Sequence, residues 1–155
     1  MSQPPGKTPP LRAAILPVTP LQQNCCLIWC TKTMRGAFTD PGGDLAKLRE
    51  AVRQTGVTIE KILLTHGHID HCGSAGIFAE ELGVPIEGPH EDDLFWISRL
   101  AEDGARYGVT GKPFTPSRWL NDSDTAFVPG HGPMSTFAHE RASNPFVGDA
   151  ILASA

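Results

Sequence analysis

The sequence predicts a layered α/β fold, and three observations carry the prediction. Short apolar runs alternate along the chain with segments of helical periodicity, as in sheets flanked by helices. Glycines fall where the helical segments should stop, at Gly56 and Gly83. The most unusual segment, Thr65-His66-Gly67-His68-Ile69-Asp70-His71, directly follows the apolar run Ile62-Leu63-Leu64. Folds of this class place their sites there, just past the C-terminal end of a strand.

The elements follow in order. Residues 1–10 are polar and proline-rich and read as a loosely attached tail. They contain no apolar signal-peptide core, which predicts a cytoplasmic location. Residues 11–16, 25–30 and 36–39 read as strands, the last two joined by a turn at 31–35. Asp40-Pro41-Gly42-Gly43 is a turn. Asp44 reads as an N-cap, with Leu45, Leu48 and Val52 at helical spacing behind it. Residues 59–64 form a buried strand, and the histidine-rich loop follows. Ala75, Phe78 and Leu82 mark a helix, and residues 84–86 a short strand. Residues 91–107 read as one helix, with Glu91, Asp92 and Asp93 in its first turn and Leu94, Ile97 and Ala101 on one face. The chain is then irregular through 124, with a short strand at 126–128, a tight loop Pro129-Gly130-His131-Gly132-Pro133 and a short helix near Phe137.

Composition narrows the function classes. The 155 residues suit one domain able to bury a core. A net charge of −4 gives no electrostatic reason to expect nucleic acid or an anionic membrane as partner. No apolar run approaches the roughly 20 residues a membrane-spanning helix needs. The four cysteines form no C-x-x-C pair, so a zinc knuckle or thioredoxin-type site is poorly supported. Cys25, Cys26 and Cys30 read as buried free thiols in a strand. Cys72 reads as a packing residue too, although its place beside His71 would expose a reactive thiol to any bound metal.

The chemistry lies in the cluster. Imidazole with carboxylate suits zinc, iron or manganese. In extended backbone alternate side chains share a face, which groups His66, His68 and Asp70. His71 points elsewhere unless the loop turns. Two adjacent metals satisfy that pattern, with His66 and His68 on one and Asp70 and His71 on the other. Gly67 lets the loop bend without a Cβ clash. An ion with three protein ligands keeps an open position, activates water there and polarises a carbonyl. The competing reading is a structural ion, or loop histidines that merely hydrogen-bond. His131 is bracketed by prolines and glycines; alone it reads as structural, and beside the upstream motif it reads as a ligand. His90 and His139 read as surface residues.

These residues resemble a known family. Residues 65–71 match the T-H-x-H-x-D-H signature of metallo-β-lactamase-fold hydrolases, and the segments at 40–43 and 129–133 are similar to that family's early and late loops. Phe114-Thr115-Pro116-Ser117-Arg118-Trp119-Leu120 and Asn144-Pro145-Phe146-Val147-Gly148-Asp149 sharpen the likeness toward small bacterial glyoxalase II-like proteins. The resemblance spans residues 11–149 as one domain, with tails at 1–10 and 150–155. It implies an αββα sandwich, with His66 and His68 on a first metal and Asp70, His71 and His131 on a second. It also implies a third histidine for the first metal and an aspartate bridging both. Only Ala126-Phe127-Val128 stands where both should be. Gly148-Asp149 follows His131 and matches the family's C-terminal end, while Asp122 and Asp124 match the turn before the gap, so none replaces the bridge.

The implied protein is therefore an incomplete sandwich with an internal deletion near 124–126 and most of its second half missing. Exposed sheet edges would then invite self-association. The implied activity is hydrolysis of a thioester such as S-lactoylglutathione by a metal-held hydroxide, with Asp70 as ligand and orienting catalytic group, and one or two zinc ions as cofactor. The expected activity is weak or lost, since His66 and His68 alone fall below the usual three ligands. The alternatives are a mononuclear iron enzyme of the persulfide dioxygenase kind, with iron in place of zinc, and a non-catalytic metal-binding fragment. A β-lactamase is disfavoured by the missing export signal.

Overall fold

The computed structural model describes residues 10–121, together with the strands Ala126–Phe127 and Ser135–Thr136. The tails at 1–10 and 150–155, the expected helix near Phe137, His131, His139, Gly148-Asp149 and the region of the expected deletion lie, apart from Pro10 and the two strands, outside the described residues.

The chain lays down a six-stranded mixed sheet in sequence order, β1-β2-β3-β4-β5-β6. Strands β1 (Leu11–Val18), β2 (Gln23–Cys30) and β3 (Arg35–Thr39) form an antiparallel meander. Strands β4 (Thr58–Leu63), β5 (Ile86–His90) and β6 (Arg118–Leu120) continue it in parallel. A separate antiparallel pair joins β7 (Ala126–Phe127) to β8 (Ser135–Thr136). Three strands run longer than their apolar cores predict, because pairing extends into polar residues such as Gln23 and Arg35. The segment at 118–120 reads as irregular in sequence, yet the sheet recruits it: Glu87 aligns with Arg118 and His90 with Leu120.

Parallel neighbours need crossovers, and each is helical. Helix α1 (Leu45–Thr55) links β3 to β4, and α2 (Ile69–Cys72) with α3 (Ala75–Leu82) links β4 to β5. A 3₁₀ turn at Glu91–Asp93, then α4 (Leu94–Ser98) and α5 (Leu100–Tyr107), links β5 to β6. Right-handed crossovers that all advance in one direction put every helix on one face of the sheet. The core agrees: Leu27, Phe38, Ile62 and Ile86 are cross-strand neighbours on one face, and they share a buried cluster with Leu48, Phe78, Ile97 and Leu100 from the helices. Phe38 meets Phe78 with ring centroids 5.2 Å apart.

Two expectations are corrected. Asp44 precedes α1 but makes no side-chain cap; its carboxylate instead accepts from the Thr19 amide at 2.8 Å, tying the β1–β2 turn to the helix. The segment 91–107 is not one helix. It breaks at Arg99, and Ile97, Leu100, Asp103 and Gly104 are buried while Leu94 and Ala101 are exposed. Among the cysteines, Cys25 and Cys72 are buried, whereas Cys26 and Cys30 are half-buried on strand β2; all four are free thiols.

The opposite face of the sheet follows the alternation. Near β1 and β2 it presents Ile15 opposite Cys26 and Ala13 opposite Ile28, and Leu11 and Ile15 are each 64% exposed. Toward β5 it turns polar, with Lys61 paired to Glu87 at 2.7 Å. Apart from the β7–β8 pair, the described residues thus form one sheet covered by helices on one face. The Phe38→Ala variant, which empties the contact between sheet and α3, should lose about 3–5 kcal/mol, read as a lower urea midpoint at unchanged slope.

Candidate functional site

The site grows from the ends of two parallel neighbours. Strand β3 ends at Thr39 and β4 at Leu63, and their registers place these two residues side by side. The Asp40 amide donates to the Leu63 carbonyl at 3.0 Å, so the turn after β3 lies against the loop after β4. Asp40 is buried, and its backbone is left-handed at φ 49°. One carboxylate oxygen accepts the Thr65 amide at 2.8 Å. The other accepts the Thr65 hydroxyl at 2.6 Å and lies 2.9 Å from His71 Nδ1. A carboxylate oxygen accepts, so His71 carries a proton on Nδ1 and turns Nε2 outward. The Nε2 atom lies 3.4 Å from an Asp70 carboxylate oxygen.

The loop is not extended throughout, as the alternation of side chains predicts. It is extended at His68 and then winds into α2, which carries Asp70 and His71. That turn swings His71 back, so His66 and His71 have ring centroids 3.9 Å apart, and His66 and His68 are 4.7 Å apart edge-on. The sequence pairs His66 with His68 and Asp70 with His71; the fold brings all three imidazoles together.

Close backbone packing sets the loop's path. A Cβ on Gly42 would lie 1.6 Å from the Asp70 carbonyl oxygen, so the turn at 40–43 presses directly on α2. Gly67 needs its small size for a related reason. A Cβ there would stand 3.0 Å from the Asp93 carbonyl oxygen and from Trp96 Cβ. The Gly67 amide donates to the Asp93 carboxylate at 2.9 Å, and Cys72 Sγ donates to the His66 carbonyl at 2.9 Å. Burial pushes the Cys72 thiol well above its ordinary pKa, with Asp40, Asp93 and Asp70 adding to the rise. Cys72 is therefore a protonated packing thiol.

The electrostatics divide the histidines. Burial lowers the His66 pKa, and His71 and His68 lower it further, which favours the neutral ligand form. Burial also opposes charge on His71, but the Asp40 hydrogen bond and the charges of Asp40 and Asp70 outweigh it and raise that pKa. His90 stays out of the cluster, its Nδ1 accepting the Asp92 amide at 3.2 Å.

As a donor set, three imidazoles and an adjacent carboxylate suit a divalent metal in kind. Among the described residues, no three His, Cys, Asp or Glu side chains converge into a complete ligand set. His131 lies outside those residues. Sequence reading passed over Asp40, Asp93 and Trp96. Asp40 carried a usable signal, a carboxylate closing one strand beside the parallel strand that feeds the cluster; Asp93 and Trp96 meet the loop only through folding.

Residues 18–144 match the metallo-beta-lactamase superfamily. The chain belongs to that superfamily. By family it is a metal-dependent hydrolase. It is 34% identical over 152 residues to hydroxyacylglutathione hydrolase GloC of Haemophilus influenzae, covering 89% of this chain and 71% of that protein. It is 27% identical over 157 residues to the probable metallo-hydrolase YqgX of Bacillus subtilis, covering 88% and 69%. Among solved structures it resembles the BLEG-1 B3 metallo-beta-lactamase with a TM-score of 0.63 at 17% identity, covering 88% of this chain and 99% of that one. It also resembles TTHA1623 in a di-iron-bound form, with a TM-score of 0.63 at 22% identity, covering 86% and 99%. These two show the fold. Among the described residues no helix is long and apolar enough to cross a membrane.

The Asp40→Ala variant leaves the Thr65 donors and His71 Nδ1 without their acceptor. It should cost about 2–4 kcal/mol and weaken metal retention about 10–100-fold, measured by thermal unfolding and by dialysis against graded chelator. Unchanged retention would show that Asp40 does not orient His71.

Proposed function

We propose that this chain is a metal-dependent thioester hydrolase of the glyoxalase II type, acting on a substrate such as S-lactoylglutathione. The observation that carries the reading is the His66, His68 and His71 cluster, with Asp40 fixing His71 so that Nε2 faces Asp70. The likeness to a hydroxyacylglutathione hydrolase supports the substrate class.

Asp70, His71 and His131 would hold one ion, and His66 and His68, two ligands where three are usual, would hold a second only weakly, with zinc the first choice and iron or manganese as alternatives. A divalent ion in that position supplies Lewis acidity and lowers the pKa of water to about 7. The chain's own groups do the rest. Asp40 holds the His71 tautomer. Asp70, beside Nε2, can accept a hydrogen bond from attacking water and orient it toward the carbonyl carbon. Trp96, edge-on to His68 with centroids 4.8 Å apart, screens one side of the cluster from solvent. The sequence offers no counterpart for a third histidine or a bridging aspartate, so turnover should be slow for the family.

Elemental analysis of the purified protein and release of free thiol from S-lactoylglutathione test this together. We expect about one zinc per chain, slow hydrolysis abolished by chelator, and a further loss of at least about 100-fold in Asp70→Asn. Metal binding without any thioester hydrolysis would leave a metal-binding fragment. Iron with oxygen uptake on glutathione persulfide would move the chain to the dioxygenase reading.

A further inference from the structure

A cavity of about 600 Å³ is lined by His68 and Asp70 of the cluster and by residues of α4 and α5. That is the size of a small-molecule site. Its wall combines two kinds of group. Phe95, Trp96 and Tyr107 are 57%, 39% and 49% exposed, an aromatic patch that the core does not use. Arg99 and Arg106 line the same space, seven residues apart, on the face that α5 turns toward it.

The two arginines differ. Arg99 is committed to the protein: its guanidinium lies 5.2 Å from the Phe95 ring centroid and 3.6 and 3.7 Å from the Glu102 and Asp103 carboxylates. Its Nε is buried without a hydrogen-bond partner. Arg106 has no ion-pair or hydrogen-bond partner among the described residues, so the groove keeps one free cation. A cleft that combines members of the histidine cluster, aromatic faces and an unneutralised guanidinium fits a ligand with a reacting carbonyl, an apolar stem and an anion. Its reacting carbonyl would sit at the cluster, its peptide-like or alkyl stem on the rings and its anion on Arg106.

We infer that this groove receives the thiol half of the substrate and that Arg106 binds a free carboxylate on it. This rests on the thioesterase reading and adds the specificity-determining residue to it. Substrates with a carboxylate-bearing thiol are favoured over neutral thioesters of similar size.

The test uses the full chain and a non-hydrolysable probe, S-hexylglutathione, with its diethyl ester, which keeps the ammonium and lacks both carboxylates, as the counterpart, in titration calorimetry. Wild type should bind the acid about tenfold more tightly than the diester, with the difference shrinking as salt rises. Arg106→Gln should erase that preference while leaving diester affinity unchanged, and Arg106→Lys should restore part of it. Arg53→Gln, on α1 and paired to Glu50, should behave as wild type. Equal affinity of wild type for acid and diester, or an equal loss for both in Arg106→Gln, overturns the assignment. So does tighter binding of S-hexyl coenzyme A, which would make the anion a phosphate. The two readings fail separately. Arg106-dependent binding without thioester turnover sinks the hydrolase and keeps the groove. Turnover with KM unchanged by Arg106→Gln sinks the groove alone.

Discussion

The structure depends on one buried carboxylate. Asp40 closes β3, accepts both donors of Thr65 and holds His71 through Nδ1. A buried carboxylate is tolerated only when its oxygens are well occupied, and here the acceptors are filled entirely by the loop that carries the cluster. The strand end, the loop and the first turn of α2 therefore form one unit. Gly42 pressed against the Asp70 carbonyl makes the same unit from the backbone side. The imidazoles come together because the loop has little freedom to go elsewhere.

Much of this was legible from sequence. Alternating apolar runs and helical periods placed β1 to β4 and α1 and α3, while the strand expected at 84–86 forms at Ile86–His90; the signature at 65–71 fell where a parallel strand ends. What escaped has a common physical cause. Side-chain alternation describes an extended chain, and the loop is extended only to His68; the helical turn at 69–72 that swings His71 onto His66 is set by packing against Gly42 and by the Asp40 hydrogen bond, both distant in sequence. Strand β6 was invisible because three residues carry no periodicity, and only the edge of β5 makes them a strand. Asp44 has the right identity for a cap, but its carboxylate serves Thr19 instead.

The sheet shows in its two faces what the chain has and what it lacks. Successive right-handed crossovers stack the helices on one side, and the core residues Leu27, Phe38, Ile62 and Ile86 all point there. On the other side the alternation leaves Ile15 and Ile28 among apolar neighbours, a composition suited to meeting another layer. A solvent-facing antiparallel meander would carry polar residues at these positions. The residue pattern is that of one sheet in a two-sheet sandwich, which agrees with superfamily membership and with a chain covering 71% of its Haemophilus relative.

The break at Arg99 links this scaffold to the groove. A continuous helix over 91–107 would bury Leu94, Ile97 and Ala101 on one stripe. Instead Ile97 and Leu100 reach the core, one from each helix, while Leu94 and Ala101 stay exposed. Phe95 and Trp96 lie outside, with Trp96 against His68 and the Asp93 carboxylate on the Gly67 amide. The segment that steadies the histidine loop from the side opposite Asp40 is thus the one that lines the groove. A change in α4 that repacks Trp96 would therefore move the histidine loop and the groove wall together, because the same segment packs against both.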